Sequence, residues 1–147
     1  MSSARSRLEH HQRHLSNHGR QESGTIHTVF TKNAAPPAGP YNQAFIAAGQ
    51  IFCSGQLPTN PDGEMVCGSI TEKTQRCIQN LKAILEEAGS EIGKVVKVVI
   101  FLSDMRYFQE FNSEYAKWFP QKPARSCVAV KALPKNADVE IEAVAIL

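Results

Sequence analysis

From Ile26 to Leu147 the apolar residues fall in short runs separated by turn-forming residues, and the spacing within each run indicates its element. HTVF (27–30), AFIAA (44–48) and IFCS (51–54) are short and β-prone, so they predict three strands, with Gly49–Gln50 as a tight turn between the second and third. The segment AAPPAGPYNQ between the first two strands holds three prolines and a glycine, which forbid regular structure. Residues 57–70 read as a loop around Pro-Asp-Gly. A helix follows, with Thr71 as its expected cap; Ile78, Leu81, Ile84 and Leu85 recur at helical spacing and Gly89 ends it. KVVKVVIFL (94–102) is apolar on both alternating sets of positions, as a central strand covered on both faces requires. A second helix begins near Asp104, carries Tyr107, Phe108, Phe111, Tyr115 and Trp118 along one side, and stops at Pro120. ARSCVAV (124–130) and DVEIEAVAIL (138–147) are the last two strands, and LPKNA between them reads as a hairpin turn.

The order β-β-β-α-β-α-β-β predicts an α+β two-layer sandwich, with two helices on one face of a six-stranded mixed sheet. A sheet whose central strand is apolar on both sides needs cover on the second face as well. No segment remains in the chain to supply it, so that face is expected to be buried against other subunits.

Residues 1–24 contain only Leu8 and Leu15 as large apolar side chains, too few to offset the entropy of ordering. The expected organisation is therefore a flexible arm over residues 1–25 and one domain over 26–147. The arm is rich in Arg and Ser, as transit peptides are, which sets a mitochondrial alternative beside a cytoplasmic location. His10, His11, His14 and His18 lie in it and are read as part of an unstructured tail rather than as a metal site.

Charge and composition then remove function classes. The chain's net charge of +2 belongs to the arm, and residues 28–147 balance twelve Lys and Arg with twelve Asp and Glu. A neutral domain without a basic-aromatic stripe gives no reason to expect nucleic acid. No apolar run is long enough to span a membrane. Cys53, Cys67, Cys77 and Cys127 form no C-x-x-C pair and read as free thiols in a reducing compartment. All five histidines lie at or before His27, so nucleophile systems and zinc sites built on histidine are excluded from the domain. Carboxylates, thiols and tyrosines are left for acid-base chemistry.

Two strands draw attention. Arg125 shares a strand face with the small residues Cys127 and Ala129, a pattern that fits either a carboxylate-binding pocket or a solvated strand end. Glu140 and Glu142 share a face with Val144 and Ile146, which is costly unless the charges are paired, solvated or in a functional cleft.

GPYNQA (39–44), CSGQLP (53–58), FNSEY (111–115), PARSCVAVKALP (123–134) and VEIEAVAI (139–146) resemble, in order and spacing, the motifs of the reactive intermediate deaminase (RidA, YjgF or L-PSP) family, across essentially all of residues 28–147. The resemblance implies a chorismate-mutase-like fold, a homotrimer with clefts between subunits, and hydrolysis of 2-imino acids such as 2-iminobutanoate and 2-iminopropanoate to 2-keto acids and ammonia, without a cofactor or metal. It implies that Arg125 holds the substrate carboxylate and Glu140 activates or orients water. Cys127, Tyr41, Ser54, Gly55 and Asn112 fall at pocket positions, Cys127 where the family uses backbone groups. The short WFPQKPAR, with Lys122 directly before Pro123, departs from the family pattern and is expected to alter one cleft wall. If LPKNA closes a hairpin, Arg125 and Glu140 lie on the order of 20 Å apart in one subunit, so a working pair needs two subunits. The alternatives are a non-catalytic metabolite-binding or chaperone-like trimer, and an endoribonuclease or translation inhibitor.

Overall fold

Strand β4 (Val95–Leu102) organises the molecule. In the computed structural model, which describes residues 24–147, it lies inside a six-stranded sheet of order β1-β2-β3-β6-β4-β5. The other strands are β1 (His27–Val29), β2 (Ala44–Ala47), β3 (Gln50–Gln56), β5 (Ala124–Ala129) and β6 (Val139–Ile146). Helices α1 (Ile70–Glu87) and α2 (Phe108–Trp118) complete the α+β sandwich. The expected arm lies almost wholly outside the described residues.

The expected β5–β6 hairpin does not form. β5 runs parallel to β4, with Arg125 opposite Val98 and Ala129 opposite Leu102. β6 inserts between β3 and β4, antiparallel to both, with Val139 opposite Leu102. Residues 130–138 therefore step over one strand, a lateral distance of about 10 Å that a tight turn cannot span. LPKNA makes a 3₁₀ turn within this bridge, with Lys135 and Asn136 both left-handed (φ 56° and 53°). The reason for the topology is β4 itself. A largely apolar strand with a free edge would leave its backbone unpaired, and β6 satisfies that edge.

One sheet face carries Ile51 and Cys53 of β3, Ile141, Ala143 and Ala145 of β6, and Val98, Ile100 and Leu102 of β4, all buried with the helices. α1 contributes Ile78, Leu81, Ile84 and Leu85, each fully buried, and α2 adds Phe111 and Tyr115. The other face bears no helix. It presents Phe45 and Phe52, 39% and 45% exposed, beside Val99, Phe101 and Val144, with Lys97 and Glu142 among them. As expected from β4, this face is left uncovered by the described chain.

The cap of α1 differs from expectation by two residues. Ser69 accepts the Glu72 N–H and the Glu72 carboxylate accepts the Ser69 N–H, a capping box in Ser-Ile-Thr-Glu that outcompetes Thr71. Thr71 instead donates its N–H and hydroxyl to Glu110 of α2, at 3.0 and 3.1 Å, and so joins the two helices.

Asp138 fastens the start of β6. It accepts Lys73 Nζ of α1 at 2.6 Å and Ser103 Oγ at 2.8 Å, and the Lys73 hydrogen bond foremost holds its carboxyl below the usual range. A depressed pKa stabilises the fold above the unfolded-state value and loses that contribution as pH falls through the folded one. Asp138→Asn is expected to cost about 1 kcal/mol at neutral pH. In urea titrations the gap between variant and wild type should close well below about pH 4.

Candidate active site

The charged residues singled out in the sequence sit on opposite faces of the sheet. Arg125 is opposite Val98, a helix-facing residue of β4, and so points toward α2. Its Nη1 donates to Asn112 Oδ1 at 2.7 Å. The guanidinium lies 4.8 Å from the centre of the Tyr115 ring and 5.9 Å from that of Phe108. Residues 108, 112 and 115 recur on one side of α2, so one helix face supplies both the amide brace and the aromatic floor. Among the described residues no carboxylate pairs with Arg125, which leaves most of its donor fork free. The group is positioned without being neutralised, and it opens onto a cleft of about 330 Å³. Such an arrangement can accept a carboxylate.

Cys127 follows two residues on, on the same face. Burial raises its thiol pKa and the positive charge of Arg125 only partly opposes this, so it is a protonated thiol and not an activated nucleophile.

Glu140 pairs in register with Phe101, on the bare face. Beside it β3 breaks register between Cys53 and Gln56, a bulge that takes Ser54 and Gly55 out of the ladder. The Glu140 carboxylate rests on Gly55, where an added Cβ would fall 2.0 Å from Oε1, so any larger residue there would displace the carboxylate from this seat. Ser54 donates Oγ to the Asn42 carbonyl at 2.6 Å. Tyr41 accepts the Ala38 N–H at 2.9 Å, which leaves its own hydroxyl proton free to donate. Tyr41, Ser54, Gly55, Pro134 and Glu140 line a second cleft of about 270 Å³. Burial, then the charge of Glu142, pushes the Glu140 carboxyl above the usual carboxylate range. Among the described residues the Glu140 carboxylate has no hydrogen-bond or ion-pair partner, which suits a proton acceptor.

The expected site residues thus divide. Asn112 and Cys127 accompany Arg125, whereas Tyr41, Ser54 and Gly55 accompany Glu140. The separation of about 20 Å that followed from a hairpin is corrected. Three steps along β4 and two across the sheet place the two Cα atoms about 14 Å apart, with side chains directed to opposite faces. They do not converge within one chain.

Four contributors were not evident as site residues in the sequence. Tyr115 and Phe108 read there as a core stripe, yet they form the floor under Arg125. Gln43, 1% exposed, exchanges hydrogen bonds with Thr31 and Ala35, and buried Asn80 of α1 holds the carbonyls of Leu57 and Thr59. Together they fix the loops that carry Tyr41 and edge the second cleft. Buried amides amid apolar runs are the one signal that would have marked them. Among the described residues no cluster of His, Cys, Asp and Glu is arranged to hold a metal ion.

The family described as Endoribonuclease L-PSP matches residues 31–147. The chain is 50% identical over 123 residues to "Protein MMF1, mitochondrial" of Saccharomyces cerevisiae, covering 83% of this chain and 85% of that protein. A Yersinia pestis protein of the conserved Rid family, YyfA, superposes with a TM-score of 0.81 at 40% identity, over 84% of this chain and 100% of that one. E. coli TdcF, solved with bound serine, superposes with a TM-score of 0.78 at 33% identity, over 82% and 98%.

The raised pKa of Glu140 has a sign that can be checked. Its carboxylate form is disfavoured by folding, so the penalty is absent below the unfolded-state pKa and complete above the folded one. Glu140→Gln is expected to be more stable than wild type at neutral pH, with the difference vanishing below about pH 4. Thermal melts across that range check it; a variant less stable than wild type at neutral pH contradicts the burial account.

Proposed function

The chain belongs to the L-PSP (Rid, YjgF) family, and from that premise we propose that it is a homotrimeric hydrolase that converts 2-imino acids to 2-keto acids and ammonia. The observation that carries this is the division of the site. A braced, unneutralised arginine occupies one face and an unpaired, seated glutamate the other, and each lacks what the other offers. The apolar face bearing Phe45, Phe52 and Phe101 gives copies of the chain a reason to associate. Three is the number the family resemblance implies.

In this reading Arg125 holds the substrate carboxylate through its free N–H groups. Glu140 of the partner subunit faces the C=N carbon and accepts a proton from the attacking water, whose oxygen bonds to that carbon. The imine nitrogen takes up a proton, for which the Tyr41 hydroxyl, in the Glu140 cleft and with its proton uncommitted, is the candidate donor. In the collapse of the tetrahedral adduct its hydroxyl proton passes to the Tyr41 oxygen as the C=O bond forms, and Glu140 returns its proton to the nitrogen, whose C–N bond breaks to release ammonia. Imines hydrolyse readily, so positioning supplies much of the gain. The serine bound to TdcF is a carboxylate-bearing small molecule in a related fold, in keeping with this substrate class. A charge-balanced domain whose one histidine, His27, lines neither cleft offers little toward the ribonuclease chemistry in the family's description. The name of the yeast relative and the Arg-rich first residues together favour mitochondrial over cytoplasmic residence.

Wild-type protein should speed 2-keto acid release from enzymatically generated 2-iminobutanoate. Arg125→Ala should lower kcat/KM on the order of a hundredfold through loss of two charge-assisted bonds. A folded wild type that gives no acceleration would remove the deaminase assignment and leave a metabolite-binding trimer.

A further inference from the structure

The cleft beside Arg125 extends well past the guanidinium. Its walls are largely apolar, with Tyr115, Phe119 and Pro123 among them, and the charged residues lining it are Arg125 and Lys122, both cationic. No Asp or Glu lines it. At about 330 Å³ in the single chain it lies within the range of small-molecule pockets. Lys122 stands on a fixed turn: its N–H donates to the Phe119 carbonyl at 3.0 Å, and Gln121 Nε2 donates to the Ile92 carbonyl at 2.9 Å. The turn holds Lys122 at φ 52°, a left-handed conformation in which a residue with a Cβ is strained and glycine or asparagine would be relaxed. Among the described residues Lys122 has no ion-pair partner.

A strained lysine at the edge of an apolar cleft, with a second cation inside and no anion to balance either, fits a ligand that carries two anionic groups on an apolar spacer. We propose that Lys122 is a specificity-determining residue, and that the α2–β5 cleft favours 2-imino acids whose side chain ends in a carboxylate. This rests on Arg125 being the anchor for the α-carboxylate. The apolar walls accept the methylene spacer, and Lys122 meets the distal charge.

Product binding tests this without turnover. Calorimetric titration would compare 2-oxoglutarate with 5-methyl-2-oxohexanoate, which replaces the distal carboxylate by an isopropyl group of similar shape. Full-length wild type should bind the diacid about fivefold more tightly. Lys122→Met, which keeps the aliphatic stem, should abolish that preference, and Lys122→Arg should retain it. No preference in wild type, or an equal preference in Lys122→Met, overturns the proposal while leaving the anchor intact. Arg125→Ala separates the two: it should weaken both ligands, and unchanged binding of both would overturn the anchor and this proposal together.

Discussion

Placement of β6 between β3 and β4 is the constraint on which the rest of the structure depends. β4 is apolar on both sides, so it requires a strand at each edge and cover on each face. α1 and α2 cover one face, and β5 and β6 occupy the edges. Because side chains alternate along a strand, fixing the registers of β5 and β6 against β4 also fixes where every charge points. Arg125 at the level of Val98 must face α2, and Glu140 at the level of Phe101 must face away. A one-residue slip of either strand would bring both charges to one side, and a slip of β6 would also turn Ile141 and Ala143 out of the core.

The surroundings of Arg125 and Glu140 are prepared differently. Arg125 is held by attraction, with one hydrogen bond to Asn112 and aromatic faces beneath, so it stays oriented. Glu140 is held by shape, on a glycine in a bulge, and burial works against its charge. The bulge in β3 thus removes two residues from the ladder to make room for one carboxylate. That is a local loss of pairing in exchange for a basic group that is not already satisfied.

Much of the fold was legible in the chain. Helical spacing from Ile78 to Leu85, the apolar run of β4 and the β-prone segments yield the element order and two-layer class. The VEIEAVAI alternation places Glu140 and Glu142 on the less apolar face. What the pattern cannot show is pairing: two strands joined by a short turn-like segment read as a hairpin unless β4's need for an edge partner is weighed. The α1 cap was missed because Ser69–Glu72 is the better box. The floor under Arg125 was missed because Tyr115 serves the core and the site at once. Arg125 and Glu140 stood out because charge among small or apolar residues is costly wherever it is not used.

Mixed oligomers test the central claim that one working site needs two subunits. Arg125→Ala and Glu140→Gln chains, each expected to be strongly impaired alone, would be unfolded together, refolded and assayed for imine hydrolysis. If each site draws its arginine from one subunit and its glutamate from another, random assembly restores about a quarter of wild-type activity. Activity that stays at the level of the separate variants, in oligomers shown by native mass spectrometry to be mixed, would contradict the account.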